Sequence, residues 1–394
     1  MHFIAVSLKF YGGHIMRAML FASVASMIDL FNRDNIDILT DLGYEVTVCA
    51  NFKEGSVYSK EQAKAFKEEL ISNGINVIDV PVPRSASDIL GMVNTVRILR
   101  DEFMKNDYDI LHCQSPIGGV LARIAAMPFR KNGLKVLYFA HGFHFYTGAP
   151  TANWLIYYNI EKLCAKITDV ILTLNKEDYL RARKFFDSDI RYIPGAGIDV
   201  EEIYNTICNP MDMREEFGID EDKKILLSVC ELSERKNCLT MIKAFLAADR
   251  DDAVLVLCGI GEQMDMLKEY VKNNDAEDRI IFAGFRNDII KMFKSSDMFI
   301  FTSKQEGLPV ALMQAMACGL PVLCSDIRGN SDLMKDGYGG YMYAPYDVDG
   351  FAEGINKILD SDTSRTSAFN LKRIKKYDIS AVNTVMENIY KELS

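Results

Sequence analysis

Two adjacent cations, Arg235 and Lys236, lie between a strand-like run, KKILLSVCEL, and a predicted helix, CLTMIKAFLAAD. Asn237 follows them and is a residue type favoured at the N-cap of a helix. Two cations beside the free N–H groups of a helix N-terminus would suit a diphosphate. A solvated turn is an equally good interpretation, since Arg-Lys pairs are common on protein surfaces.

An acid and an amide flank a second loop, in TSKQEGLPVALMQAMACGLPVLCS, residues 302–325. Glu306 comes just before a predicted helix that has Pro309 in its first turn and Gly319 at its end. The helix dipole stabilises a carboxylate there whatever its role, so capping is an alternative to ligand binding. Gln314 lies within this apolar helix. A buried amide needs partners, so Gln314 either bonds neighbouring backbone or faces a ligand.

A histidine-containing loop in the first half of the chain is a third candidate. In LYFAHGFHFY, His141 comes directly after a predicted strand, and the polar and aromatic residues 144–146 follow in the same loop. A histidine at the carboxyl end of a strand is a better functional candidate than one in a core. Another strand, ILHCQS, ends with His112 and Gln114, of which His112 could also fill the edge of the core.

Glycine-rich turns and acidic triplets do not add a nucleotide or metal motif. The turns GIGE (259–262), which contains Gly261, and PGAGID (194–199) lack the third glycine of G-x-G-x-x-G. The D-x-D triplets at 187–189 and 347–349 fall in polar turns, where chance occurrence in an acidic chain is the better interpretation. We therefore predict no metal ion.

Composition limits the classes of protein to which the chain could belong. It has 394 residues, 49% of them hydrophobic and 25% charged, which is enough for two domains with sizeable cores. The net charge of −10 argues against general nucleic-acid binding, because no global positive field attracts phosphates. The nine cysteines include no C-x-x-C pair and indicate buried free thiols in a reducing compartment.

Membrane and targeting signals are weak. No run of 18 apolar residues occurs, so we expect no transmembrane helix. Residues 1–17 lack the apolar core of a signal peptide, and we expect either an extension or a natural start at Met16. The segment ARIAAMPFRKNGLK (122–135) mixes apolar and basic residues that could meet anionic lipid. An ordinary helix followed by a basic turn explains that segment equally well.

Strand-like runs alternate with amphipathic helical stretches along the chain, for example with helices across 88–106 and near 117–127. Such alternation implies parallel sheets with helices on both faces. Two series flank the hydrophilic segment 199–222. We predict that this segment is a linker between an N-terminal domain, 18–198, and a C-terminal domain, 223–376.

The last segment, 377–394, has an apolar helical face that includes Val382, Val385 and Ile389 and must pack on one of the two domains. Ligands of doubly wound sheets bind outside the carboxyl ends of the strands. We therefore expect the site in a crevice that the two domains share, built from the loops described above.

Together these segments resemble the retaining glycosyltransferases of the family-four type with the GT-B fold, particularly bacterial enzymes of capsule and exopolysaccharide assembly. The resemblance runs from about Met19 to the C-terminus and includes HCQSPIGGVLARIAA, AHGFHFYTGAP, ELSERKN, EGLPVALMQAMACGLPVLCS and DGYGGY in the family's order. It implies an α/β protein of two doubly wound Rossmann-like domains. It also implies a nucleotide-sugar donor, with a UDP-sugar expected, and no metal or cofactor.

The resemblance further implies roles for individual residues. Arg235 and Lys236 would hold the diphosphate and Glu306 would contact hydroxyls of the donor sugar, beside which His141 would also lie. Further contacts to the nucleotide sugar are expected from Gly261, Arg286, Gly307 and Leu308. The terminal helix would cross back to the N-terminal domain. The expected acceptor is a polyprenyl-diphosphate-linked sugar, used by a cytoplasmic enzyme at the inner face of the plasma membrane.

Two residues depart from the family pattern. The family's second acid, eight residues after the first, contacts ribose hydroxyls, and that position is Gln314 here. Gln114 replaces a histidine of the family's H-C-H-[ST]-P. Losing the charge-assisted bond to ribose should weaken donor binding by ~1–2 kcal/mol. Two alternatives remain: a degenerate subunit that binds a nucleotide sugar without turnover and supports a partner transferase, and another GT-B enzyme such as a sugar-nucleotide epimerase.

Overall fold

The computed structural model describes residues 15–53, 58–83, 85, 87–195 and 197–394. The chain divides into two compact units, of which the first ends at residue 196 and takes in Ser380–Ser394, and the second is Gly197–Ile379. Each unit has one parallel β-sheet. The predicted extension, 1–17, lies outside the described residues except for its last three, and Arg17 already begins a strand.

The first unit has seven parallel strands in the order β3-β2-β1-β4-β5-β6-β7. Every residue of the fourth strand is buried, as expected for a strand covered on both faces. The order in which successive strands are added to the sheet reverses between the first and fourth strands, which pair with each other. The strands are β1 (Arg17–Val24), β2 (Glu45–Asn51), β3 (Asn76–Asp79), β4 (Ile110–Gln114), β5 (Lys135–Ala140), β6 (Val170–Thr173) and β7 (Asp189–Tyr192).

Helices connect these strands, and their apolar faces form a core with Phe21, Leu111 and Tyr138 of the sheet. The helices predicted across 88–106 and near 117–127 are confirmed. The helices are α1 (Ala25–Phe31), α2 (Arg33–Asp41), α3 (Lys60–Ser72), α4 (Ile89–Lys105), α5 (Pro116–Ala126), α6 (Thr151–Asn153), α7 (Asn159–Ala165) and α8 (Lys176–Phe185), with a π-helical turn at Trp154–Tyr158 and a 3-10 turn at Arg130–Asn132.

The second unit has six parallel strands in the order β10-β9-β8-β11-β12-β13. They are β8 (Lys224–Val229), β9 (Ala253–Cys258), β10 (Ile280–Gly284), β11 (Met298–Phe301), β12 (Val322–Ser325) and β13 (Gly340–Tyr343). Its helices are α9 (Val200–Asn205), α10 (Pro210–Phe217), α11 (Cys238–Ala247), α12 (Met264–Lys272), α13 (Ile289–Lys294), α14 (Val310–Ala317), α15 (Asn330–Leu333), α16 (Val348–Leu359) and α17 (Ser364–Ile374), followed by a 3-10 turn at Lys375–Tyr377. The final helix is α18 (Ile379–Leu393).

Residues 199–222, predicted to be a linker, contain α9 and α10 and lie within the second unit. Asn209 caps α10 through a bond from the Met211 N–H at 3.3 Å, and Pro210 is its first residue. Gly218 ends the helix with a φ of +65°. Asn, Pro and Gly at these positions are helix start and stop signals, so the segment is helical despite its hydrophilic composition.

The last helix packs on the first unit through Tyr390, which is fully buried. The Tyr390 hydroxyl donates to Asn35 Oδ1 at 3.0 Å and lies 2.7 Å from Nδ1 of His112. The buried face of α18 differs from the predicted one, because Met386 is buried whereas Val385 is exposed. A buried hydroxyl with two partners on the first unit sets the rotation of this helix, which apolar periodicity alone does not specify.

Candidate functional site

In the sheet of the second unit, the order in which successive strands are added reverses between β8 and β11, which pair with each other. The loops after these two strands carry most of the predicted site. Residues 230–237 follow β8, and residues 302–309 follow β11. A doubly wound sheet binds its ligand outside the carboxyl ends of its strands at such a switch point. The topology therefore brings together two loops that lie some 70 residues apart in the chain.

Glu306 is the centre of a charged cluster formed by these loops. Its Oε1 accepts hydrogen bonds from Lys236 Nζ at 2.6 Å, from Ser303 Oγ at 2.6 Å and from Arg235 Nη1 at 3.1 Å. Glu306 and the Lys236 side chain are largely buried, whereas the Arg235 side chain is 46% exposed. Two cations and one carboxylate leave a net positive charge, and Arg235 is the cation that an anionic ligand could reach most easily.

Neither predicted capping interaction is present in these loops. Glu306 does not cap α14, whose N-terminus has no side-chain cap. Asn237 occupies the N-cap position of α11 but caps no backbone N–H. Its Nδ2 instead donates to the carbonyl oxygens of Thr302 at 3.1 Å and Pro345 at 2.7 Å. Asn237, with a φ of +56°, thus fastens the loop after β8 to the end of β11.

Ser303 is a member of the cluster that sequence reasoning missed. It is fully buried, and its hydroxyl donates to the same Glu306 oxygen as Lys236 does. In the sequence, the S-x-x-E spacing of Ser303 and Glu306, which is that of a capping box, is the signal that these two residues could interact. Here the two side chains bond to each other in a loop and not to helix backbone.

Gln314 lies in α14 among buried apolar residues such as Leu312 and Met316. Its side chain is only partly buried and has no hydrogen-bond partner among the residues that the structure describes. An amide without protein partners on an otherwise apolar helix is available to a ligand or to water. This placement argues against the alternative in which Gln314 bonds neighbouring backbone.

The predicted glycine contacts lie where backbone segments approach closely. A Cβ on Gly261 would come within 2.3 Å of the Leu232 carbonyl oxygen, so this glycine lets the loop after β9 pack on the loop after β8. Gly307 is approached in the same way by Gly329, where a Cβ would lie 2.4 Å from the Gly307 oxygen. Leu308 is buried. Gly261 and Gly329 therefore have packing reasons to be glycine, and the contact of Gly261 and Gly307 with a ligand stays a prediction.

Arg286 is not in the Glu306 cluster. It follows β10, the edge strand, and its guanidinium pairs with Glu216 and with Asp288, the latter at 2.7 Å. Its pKa is raised, mainly by the hydrogen bonds to these two carboxylates. Two acids already neutralise Arg286, so a structural role explains it without a phosphate ligand.

In the first unit, His141 and Gln114 are hydrogen-bonded to each other. Nε2 of His141 lies 2.7 Å from Oε1 of Gln114, and the imidazole ring stacks on Phe139 with 4.6 Å between centroids. Phe31 packs its ring edge against the same imidazole at 5.6 Å. Burial lowers the pKa of His141 to about 4, so the ring is neutral at pH 7. With Gln114 accepting, Nε2 carries the proton and Nδ1 has a free lone pair.

His112 and Phe145 have structural roles. Burial lowers the pKa of His112 to about 3, and its Nδ1 contacts Tyr390 of α18, as a core-edge residue would. Phe145 is fully buried and stacks on Phe143 with 4.7 Å between ring centroids. The loop is tied down further by Arg181, whose Nη1 donates to the Phe145 carbonyl at 3.0 Å.

One acid of each D-x-D triplet has a structural partner. Asp347 accepts from the Gly350 N–H at 2.9 Å at the start of α16, and Asp189 pairs with Arg191 at 2.7 Å. Within the described part of the chain, no three His, Cys, Asp or Glu side chains are grouped as metal ligands. None of the helices that the structure describes is long and apolar enough to span a bilayer.

The two parallel-sheet domains define the class of fold, which is that of the GT-B glycosyltransferases. HepE of Anabaena in complex with UDP and glucose superposes with a TM-score of 0.75, at 20% identity, over 96% of this chain and 100% of that one. Sucrose-phosphate synthase of Thermosynechococcus elongatus superposes with a TM-score of 0.76, at 17% identity, over 96% of this chain and 99% of that one. The predicted fold class is confirmed.

The chain belongs to the glycosyl transferases of group 1. The model of that family matches residues 211–373, and a glycosyl transferase 4-like model matches residues 36–174. EpsD of Bacillus subtilis, named as a glycosyltransferase, is 33% identical over 324 residues, 80% of each chain. UDP-Gal:alpha-D-GlcNAc-diphosphoundecaprenol alpha-1,3-galactosyltransferase of Escherichia coli is 30% identical over 313 residues, 77% of this chain and 76% of that one. The predicted resemblance is confirmed.

Proposed function

We propose that this glycosyltransferase moves a hexosyl or N-acetylhexosaminyl group, with retention of configuration and without a metal ion, from a UDP-sugar to a polyprenyl-diphosphate-linked sugar of a growing cell-surface polysaccharide. The observation that carries the proposal is the cluster of Arg235, Lys236 and Glu306 at the switch point of the second sheet. The name of the E. coli relative, with its UDP-Gal donor and diphosphoundecaprenol-linked acceptor, supports both substrate classes.

The two cations are suited to stabilise the leaving diphosphate. Charge develops on the UDP oxygens as the bond from C1 of the sugar to the phosphate oxygen breaks, and fixed positive groups lower the energy of that transition state. Lys236 is held by Glu306 and lies over the Phe301 ring at 4.9 Å, so its position is fixed before the donor binds. Arg235, more exposed, would turn from Glu306 toward the phosphates.

The carboxylate of Glu306 would orient the sugar through its hydroxyls. Only Oε1 is engaged by Lys236, Arg235 and Ser303, and no bond to Oε2 occurs among the described residues. That second oxygen is the acceptor offered to the donor sugar. The acceptor hydroxyl would then attack C1 from the face that the phosphate leaves, and the leaving phosphate oxygen would take its proton.

Gln314 and His141 would complete the contacts to the donor. The partly exposed amide of Gln314 would bond a ribose hydroxyl, at the position where the family has an acid. The neutral His141, with Nδ1 free to accept, would contact a hydroxyl of the sugar. Gln114 would keep His141 in that tautomer. These roles require no side-chain nucleophile.

The test is UDP release from a panel of UDP-sugars, with and without a polyprenyl-diphosphate-linked acceptor. We expect release from one donor, dependent on the acceptor, and its loss in Glu306→Ala. A thermal shift with UDP in the absence of any release would favour the degenerate-subunit alternative. Neither release nor a thermal shift with UDP would refute the proposal.

Peripheral contact with the inner membrane face is also proposed, and an apolar groove on the first unit supports it. The groove, of about 580 Å³, lies between α4 and α5 and is lined by Val93, Met104 and Ile124 together with Arg97, Arg100 and Asp101, of which Arg97 and Asp101 are 3.9 Å apart. Leu90, also on α4, is 84% exposed. An exposed apolar face with arginines at its margin fits anionic lipid, in which apolar groups insert and cations pair with headgroups.

The predicted lipid segment, 122–135, contributes less than expected. Ile124 and Met127 are exposed, but Arg123 is wholly buried. Its Nη2 lies 2.8 Å from Glu161, and its guanidinium lies 3.8 Å from the centre of the Tyr138 ring. Arg123 therefore serves the core of the first unit and cannot pair with a lipid headgroup.

Vesicle co-sedimentation tests the membrane contact. The protein should pellet with phosphatidylglycerol vesicles and not with phosphatidylcholine vesicles, and Leu90→Glu should abolish pelleting. Leu180→Glu is the matched control, since Leu180 is a 63% exposed leucine of the same unit on α8, outside the groove. Equal pelleting of wild type and Leu90→Glu would contradict this assignment of the surface.

A further inference from the structure

Two thiols of the second unit face each other at the base of the loop that carries Arg235 and Lys236. Cys230 directly follows β8, and Cys238 is the first residue of α11. Their Sγ atoms are 3.5 Å apart, and both thiols are free. Cys230 is partly exposed, whereas Cys238 is fully buried. The two thiols are within hydrogen-bonding distance, and a short further approach of the two sulfur atoms would allow a covalent bond to form.

The surroundings favour Cys230 as the thiol that reacts first. The hydrogen bond from Cys238 lowers the pKa of Cys230 and the charge of Lys236 lowers it further, against an opposing effect of burial. The pKa of Cys238 is raised by the hydrogen bond to Cys230 and by burial. The thiolate is the reactive form, so the thiol whose pKa is lowered reacts first, and a partly exposed thiol beside a second thiol is typical of redox-sensitive pairs.

We propose that Cys230 and Cys238 form a reversible disulfide that controls donor binding by the loop between them. The oxidant is a hydroperoxide such as H₂O₂. The Cys230 sulfur attacks one peroxide oxygen, the O–O bond breaks, and hydroxide leaves and takes the thiol proton to form water. The Cys238 sulfur then attacks the resulting sulfenic acid, the S–O bond breaks, and a second water leaves with the Cys238 proton. A thiol reductant reverses the bond by exchange.

The disulfide would disturb the site because the ring that it closes contains Arg235 and Lys236. The sulfur atoms must approach by about 1.5 Å to reach a disulfide length of about 2.05 Å. Arg235 and Lys236 lie within the segment that the bond closes, while Asn237 anchors that segment to Thr302. The movement would therefore displace the two cations and change their contacts with Glu306. We expect oxidation to weaken binding of UDP about fivefold, a change of about 1 kcal/mol. This effect on UDP rests on the proposed function, but formation of the disulfide does not.

The experiment combines thiol mapping with UDP binding. Protein treated with H₂O₂ is alkylated and digested, and mass spectrometry identifies disulfide-linked peptides. UDP affinity is measured by calorimetry on reduced, oxidised and re-reduced protein. We expect a 230–238 cross-link, weaker UDP binding, and recovery of both with dithiothreitol. Cys230→Ser should abolish the cross-link and the loss of affinity, and Cys238→Ala provides a second variant in case the first does not fold.

Cys258→Ser is the matched control, since Cys258 is a free, buried cysteine at the end of the neighbouring strand β9. It should respond to H₂O₂ as the wild type does. Absence of the 230–238 cross-link would overturn the proposal, and so would a cross-link that leaves UDP affinity unchanged. If reduced protein does not bind UDP at all, the proposed function fails, while the cross-link is still observable by mass spectrometry.

Discussion

Replacing Glu306 by alanine removes the carboxylate that balances Lys236 and Arg235, and should destabilise the second unit. Lys236 and Glu306 are 2.6 Å apart, and their side chains are 13% and 9% exposed. A hydrogen bond between charged, largely buried groups contributes about 1.5–3 kcal/mol. The Arg235 contact adds less than about 1 kcal/mol because that side chain is nearly half exposed. The expected loss is about 2–4 kcal/mol, or roughly 5–12 °C in Tm.

Glu306→Gln separates this structural role from the proposed role in transfer. Glutamine keeps an oxygen for Lys236 and Ser303, so the cost in stability should be only about 1 kcal/mol. It also makes the cluster more positive, so UDP should bind as tightly as before or a few-fold more tightly. Turnover should nevertheless fall by about 100-fold, because a charged acceptor for the sugar hydroxyls is lost from the transition state.

Thermal denaturation and steady-state UDP release on wild type, Glu306→Ala and Glu306→Gln measure the two effects. Glu353→Ala is the control for stability, because Glu353 pairs with Lys357 at 2.7 Å on the surface and its loss should cost under about 1 kcal/mol. If Glu306→Gln turns over at the rate of the wild type while Glu306→Ala unfolds, Glu306 only positions Lys236. The assignment of Glu306 to the donor sugar would then be refuted.

Gln314→Glu should fold normally and bind UDP about fivefold more tightly in calorimetry, because a partly exposed carboxylate would form the missing charge-assisted bond. Gly261→Ala should lower the free energy of unfolding by about 1–3 kcal/mol in urea titration, since its Cβ would press on the Leu232 oxygen. Burial lowers the pKa of His112 to about 3 and that of His141 to about 4, below the unfolded value near 6.5. Stability should therefore hold above pH 6.5 and fall as the pH drops toward 4, measured by urea denaturation at stepped pH.

The alternation of strands and helices could be predicted because each burial pattern repeats locally. Strands such as β4 are buried throughout, and amphipathic helices show the 3.6-residue period. The meeting of Lys236 with Glu306 was also predictable, since both follow strands that a doubly wound sheet places side by side. The hydrophilic composition of 199–222 favours a linker, whereas the Asn-Pro start and Gly stop of α10 are the local signals that indicate a helix there.

Side-chain pairing is the part that the sequence could not supply. Arg286 follows a strand as Arg235 follows another, yet Glu216 and Asp288 neutralise it. Arg123 lies in an apparently basic surface segment, yet it is buried against Glu161. Glu216 lies on α10 and Glu161 lies on α7, so each of these acids is on a different element from its arginine and reaches it only when the chain folds. The local sequence pattern gives the type of a side chain and its position, but it does not show which carboxylate will form an ion pair with it.

In the proposed donor site, the amide at position 314 would change the charge balance as well as one hydrogen bond. With Gln314, Arg235 and Lys236 oppose a single carboxylate, Glu306, in the cluster. A second acid, on α14, would add a negative charge to the proposed donor site, which a diphosphate must also approach. The loss of a charge-assisted ribose bond, ~1–2 kcal/mol, would therefore be offset in part by weaker repulsion of the diphosphate. Since the amide is partly exposed and no described residue bonds to it, folding should not depend on it, and a glutamine at this position fits the proposed donor site.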